Sequence, residues 1–147
     1  AVRPEQSVRD VMELLEQTKH HGFPVVDEDG DLHGIVTVGD VRRALAEGKQ
    51  DRPASEAATH DVVVAFPEET LNDALRKLAL RDVGRLPVVD REDHRRLLGL
   101  VTRKNILSAY NRALLHRHTD LEKTVEPEHL EQGAGRLGVP LRKEPPA

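Results

Sequence analysis

Two short phrases of this 147-residue chain place a hydroxyl three residues ahead of a carboxylate or an amide, each after an aliphatic run: Gly34-Ile-Val-Thr37-Val-Gly-Asp40 and Gly99-Leu-Val-Thr102-Arg-Lys-Asn105. Each reads as a short buried strand running into the first turn of a helix. At that spacing both polar side chains can point from one strand-to-helix corner into one cleft. The first amides of a helix have no partner inside it and so favour anions. An aspartate in that turn is suited to hold the paired hydroxyls of a ribose. Threonine and aspartate at a helix start also serve as plain caps, and one phrase alone leaves both readings open. The second corner differs in kind. Asn105 offers one accepting oxygen and a donating nitrogen where Asp40 offers two acceptors, which weakens ribose binding there. Arg103 and Lys104, with Arg85, make that corner basic and favour phosphates.

The elements that would position these corners are written twice. At an offset of 63 residues Pro4-Glu5 falls on Pro67-Glu68, Ser7 on Thr70, Asp10 on Asp73 and Leu15 on Leu78. Pro24-Val-Val-Asp27 falls unchanged on Pro87-Val-Val-Asp90; two extra residues then move Gly34 onto Gly99. A unit of this length present twice is a tandem domain, not a solenoid. Each copy opens a helix with Ser7-x-x-Asp10 or Thr70-x-x-Asp73, a capping box with Asp in place of Glu. Apolar residues follow at helical spacing: Val8, Val11, Met12 and Leu15, or Leu71, Ala74, Leu75 and Leu78. A β-rich run comes next (23–26 or 86–89), then a charged turn, a strand (32–36 or 97–101) and a second helix. Gly48 is a natural C-cap for the first copy. Val62-Val63-Val64 reads as the strand opening the second copy, with Val2 as the stump of the same strand in the first. The last helix is expected from Arg103 to Glu122, with Ile106, Leu107, Tyr110, Leu114 and Leu121 as its apolar members. The boundaries that follow are residues 1–50 and 62–122 for the two repeats, 51–61 for a linker and 123–147 for a tail. The chain, which begins without Met, reads as a piece of a longer protein.

Composition excludes several classes. Apolar residues make up 37%, aromatics 2% and charged residues 33%, so the core is aliphatic under a heavily charged surface. A net charge of −4 and so few aromatics argue against nucleic acid as a partner. The absence of cysteine removes disulfides and thiolate chemistry and suits a reducing compartment. No apolar run reaches membrane-spanning length and no signal peptide is visible. The eight histidines include the neighbours His20-His21 and the pair His116-x-His118, neither at the i, i+4 spacing of a helical zinc site, so no metal is expected. No nucleophile with a base and no paired carboxylates point to an enzyme.

A tandem β-α-β-β-α unit carrying Pro-Val-Val-Asp, a turn, and Gly-h-h-Thr-x-x-Asp resembles a pair of CBS domains, the Bateman module, over roughly residues 1–115. The resemblance implies an α/β (α+β) fold of two repeats packed sheet to sheet with pseudo-two-fold symmetry. It implies a non-catalytic regulatory region, without a required cofactor, that binds an adenine nucleotide (AMP, ADP or ATP) between the repeats and pairs into a homodimer. Three phrases are similar to the cytoplasmic CBS pair of prokaryotic ClC-type chloride channels and antiporters: His21-Gly-Phe-Pro-Val-Val-Asp27, Gly84-Arg-Leu-Pro-Val-Val-Asp90 and Leu98 through Tyr110. That likeness implies a cytoplasmic location and a covalent link to an upstream membrane transport domain. By resemblance Asp40 takes ribose hydroxyls and Thr37 assists on the phosphate side, with Val2, Gly22, Phe23 and Pro24 bordering the adenine. The matching positions of the second copy are Gly84, Arg85, Leu86, Pro87, Thr102, Arg103 and Asn105. Arg3, Lys19, His20 and His21 are further candidates for phosphate. The competing readings are a ligand-free dimerisation module and the regulatory CBS pair of a metabolic enzyme of the inosine-monophosphate-dehydrogenase type.

Overall fold

The computed structural model describes residues 1–81 and 83–121. The elements run α1 (Val8–Thr18), β1 (Gly22–Val26), β2 (Leu32–Thr37), α2 (Val38–Ala46), α3 (Ala54–Ala57), α4 (Leu71–Leu80), β3 (Arg85–Val89), β4 (Leu97–Thr102) and α5 (Arg103–Leu121). The expected tail, 123–147, and the expected last residue of α5, Glu122, lie outside the described residues.

The starts of α1, α2 and α4 follow from their side chains. Ser7, Thr37 and Thr70 each accept the backbone N–H of an aspartate three residues on, and that aspartate accepts the backbone N–H of the cap. Aspartate thus closes the box as glutamate does elsewhere. Gly48, at φ +72°, follows the Glu47 C-cap of α2 in a backbone conformation open to glycine.

The sheets are antiparallel hairpins with one register. Gly22 pairs with Thr37 and Pro24 with Ile35; Arg85 pairs with Thr102 and Pro87 with Leu100. Both registers shift one residue after the Pro-Val step, at Val25/Val26 and Val88/Val89. Proline can sit in β1 because its outer neighbour is a single residue: Val2 donates to the Pro24 carbonyl and accepts from Val26, so the missing Pro24 N–H costs no bond.

The second repeat departs from the expected strand at Val62–Val64. Only Ala65 bridges Val88, in the place that Val2 takes against Val25. The Val64 carbonyl accepts from Lys77 Nζ at 2.8 Å, a side-chain partner in place of a strand ladder. The expected linker is likewise more structured than a connection. Ala54 and Ala58 are buried in the first core with Val8, Val11, Phe23 and Val41, and Ile35 and Thr59 exchange backbone hydrogen bonds. A second aliphatic core gathers Ala65, Leu71, Ala74, Leu78, Leu86, Val88, Val101 and Ile106.

Pseudo-two-fold symmetry is visible in the backbone itself. Leu32 N–H donates to the Arg95 carbonyl and Leu97 N–H to the Gly30 carbonyl, a reciprocal pair at the sequence offset of 65. Asp31 and Arg96, between them, form the bridge nearest the local axis. The repeats are therefore joined at their hairpin turns and open towards the other end of the strands.

Of the expected apolar members of α5, Ile106 is buried, whereas Leu107, Tyr110 and Leu114 are exposed with Leu115. Their i, i+3, i+4 spacing places them on a face that no described element covers.

Candidate functional site

Between the repeats lies a cleft of about 850 Å³ whose walls are the strand-to-helix corners of both. Gly22, Phe23, Pro24, Ile35 and Thr37 line it from the first repeat; Gly84, Arg85, Leu100, Thr102, Arg103 and Asn105 line it from the second. Lys19, His20 and His21 close one rim. Thr59, Asp61, Val62 and Val63 form a wall from the connecting segment. The sequence named the two corners but read Val62-Val63 as strand. The signal for that wall was present only as a β-branched run, which strands and cleft walls share.

The corners are superimposable in their bonding. At the first, Asp40 Oδ2 accepts from Thr37 N–H at 2.9 Å and from Thr37 Oγ1 at 2.7 Å, while Thr37 Oγ1 accepts from Asp40 N–H at 3.3 Å. At the second, Asn105 Oδ1 accepts from Thr102 N–H at 3.0 Å and from Thr102 Oγ1 at 2.7 Å, and Thr102 Oγ1 accepts from Asn105 N–H at 3.2 Å. The capping reading is thus realised at both. What each corner has left over differs. The Asp40 side chain is only 10% exposed, its second oxygen stands 3.8 Å from Arg43 Nη2, and it does not line the cleft. Asn105 lines the cleft and keeps its Nδ2 donors for whatever enters.

Other expected site residues are placed elsewhere. Val2, Leu86 and Pro87 are not part of the lining: Val2 and Leu86 are buried in the two aliphatic cores. Arg3 turns away to donate to the Asp27 carbonyl.

The electrostatics of the cleft are one-sided. Among the described lining residues, Lys19, Arg85, Arg103 and Lys104 stand with one carboxylate, Asp61, although the whole chain is acidic. Arg103 is held against the carbonyls of Val83 and Leu78 at 3.4 and 3.5 Å. Arg85 makes no hydrogen bond or ion pair among the described residues, and partial burial pulls its pKa below that of a free arginine. Its space comes from Gly22: a Cβ there would stand 3.2 Å from Arg85 Nε and 2.8 Å from the Val36 carbonyl oxygen. Among the described residues no group of three or more His, Asp or Glu is placed to hold a metal, and no helix is long and apolar enough to cross a membrane.

The model of the CBS domain matches residues 1–47 and 54–112, one match for each repeat, with α3 inside the second match. The chain belongs to the CBS-domain family. This CBS pair is 38% identical over 104 residues to inosine-5'-monophosphate dehydrogenase of Halobacterium salinarum, a match covering 71% of the pair and 20% of that protein. The solved complex of CBSX2 with AMP is similar at a TM-score of 0.68 and 31% identity, covering 77% of this chain and 87% of that one. The CBS pair of MJ0100, in complex with 5'-methylthioadenosine and S-adenosyl-L-methionine, is similar at a TM-score of 0.64 and 28% identity, covering 76% and 89%. The CBS pair spans a fifth to a half of the length of the first curated relatives it matches.

Proposed function

We propose that this CBS pair is a non-catalytic regulatory module, sited in the cytosol, that senses an adenine nucleotide in the cleft between its repeats. One observation carries the reading: two corners of identical bonding, Thr37–Asp40 and Thr102–Asn105, flank one cleft with aliphatic walls and a cationic rim. A flat base fits between Ile35, Leu100 and Val62, and the rim meets phosphate. The AMP held by CBSX2, a protein of the same fold, supports the ligand class. No cofactor is required. A bound nucleotide would tie the repeats together, and it would shift a larger parent only if its affinity differed between the parent's states. The dehydrogenase relatives support an enzyme as that parent over the ClC-type transporter to which residues 98–110 are similar.

A second reading rests on another observation. Among the described residues the six exposed large apolar side chains (Leu75, Leu80, Leu107, Tyr110, Leu114 and Leu115) lie on α4 and α5, none on the first repeat's helices. We infer that this face pairs with a second copy, so that the module assembles through its second repeat whether or not a ligand is present.

Calorimetric titration with AMP, ADP and ATP tests the first reading, beside Asp40→Ala and Asn105→Ala. Binding lost in either variant places the ligand at that corner. No heat with any nucleotide, from a folded chain, leaves the assembly reading standing alone.

A further inference from the structure

Arg85 and Gly22 hold equivalent places in the two repeats, yet one is the largest cation and the other has no side chain. Arg85 leaves the second corner, where it pairs with Thr102, and its Nε reaches to 3.2 Å from where a Gly22 Cβ would stand, beside Thr37. A guanidinium from one repeat therefore lies at the Thr37 corner of the other. It carries no counter-charge among the described residues. Lys104 and Lys19 add cations to the same cleft, and among the described lining residues Asp61 is the one carboxylate. Asn105 adds an N–H donor, again suited to an anion.

Such a cleft disfavours a ligand that brings positive charge, and a single phosphate leaves most of the cations unmatched. A planar guanidinium with parallel N–H groups is matched by adjacent phosphate oxygens. We propose that the cleft selects a nucleoside polyphosphate, with two or more phosphates, over a nucleoside monophosphate or a sulfonium nucleoside, and that Arg85 reads the added phosphates. This rests on the nucleotide reading above and deepens it. Arg85 is then the residue that sets specificity, and the Thr37 corner is served by a group from the opposite repeat.

Isothermal titration of the whole chain with ATP, ADP, AMP, S-adenosylmethionine and inorganic tripolyphosphate, at low and high salt, tests it. ATP should bind at least about tenfold more tightly than AMP, the equivalent of one further charge-assisted hydrogen bond. Arg85→Gln should bring ATP and AMP within about twofold, Arg85→Lys should restore part of the difference, and the thermal midpoints of both variants should match the parent's. AMP binding as tightly as ATP, or a preference unchanged in Arg85→Gln, overturns the proposal. If no adenosine compound binds, the nucleotide reading fails by itself. Tripolyphosphate binding that Arg85→Gln abolishes then upholds the anion site, and no tripolyphosphate binding sinks both.

Discussion

Gly22 and Arg85 are the same position of the repeated unit, and across the cleft the side chain of one occupies the room left by the other. The repeats are equivalent in backbone, from their capping boxes to the reciprocal bonds at Leu32 and Leu97, and they differ where the cleft is lined. Function is therefore to be sought in what breaks the symmetry.

Gly22→Ala tests that relationship directly. Its Cβ would meet the Val36 carbonyl oxygen at 2.8 Å and displace the Arg85 guanidinium. The backbone oxygen is fixed by β2, so the strand pair must shift, and a loss of about 1–3 kcal/mol in urea unfolding is expected. Nucleotide affinity should fall with it.

Gly34→Ala should cost at least as much. A Cβ there lies 2.5 Å from the Thr59 carbonyl oxygen, and Thr59 and Ile35 hold α3 against the first hairpin. With φ at +154° the backbone also disfavours a side chain. A midpoint shift in urea smaller than that of Gly22→Ala would contradict this account.

Asn105→Asp should preserve the second corner. The Asn105 oxygen already accepts both Thr102 donors, and a carboxylate would do the same with added attraction for the helix N-terminus, worth about 0.3–1 kcal/mol. Thermal stability should rise slightly, while affinity for ATP should fall because a negative charge now lines the cleft. Tighter ATP binding would argue instead that the second corner holds ribose.

Acid stability should depend on Asp27. The hydrogen bond from His33 Nε2, and then the backbone N–H of Asp31 and Asp29, hold its carboxyl below the usual range. The ionised form is thus favoured in the folded chain. Its contribution is complete above about pH 4–5 and is lost as pH falls through the lowered value. In His33→Ala, melting temperature should decline less steeply below about pH 4, because less of the shift remains to be lost.

The face of α4 and α5 gives a hydrodynamic prediction. Leu107 and Leu115 are 59% and 66% exposed, and burying such side chains against a second copy is worth about 1.5–3 kcal/mol each. Leu107→Glu with Leu115→Glu should yield a monomer by sedimentation equilibrium, with the thermal midpoint measured on the monomer close to the parent's. A parent chain that is already monomeric at high concentration would rule the interface out.

Much of this molecule was legible before folding. Local rules determined the capping boxes, the hairpins around Pro24 and Pro87 and the glycine after α2, because each depends on residues within a few positions of one another. The repeat itself announced two equivalent corners. What the sequence could not decide was which way side chains face once two units share a cleft. Asp40 and Asn105 look like a strong and a weak ligand in the chain, yet the carboxylate stands back from the cleft and the amide lines it. Val2 and Leu86 go to the cores, and Val62 and Val63, strand-like by composition, become a wall because the Val64 carbonyl finds Lys77 instead of a neighbouring strand. Arg85 beside Gly22 depends on how the repeats oppose each other. That opposition is set by the reciprocal bonds joining the distant hairpin turns, which no local pattern records.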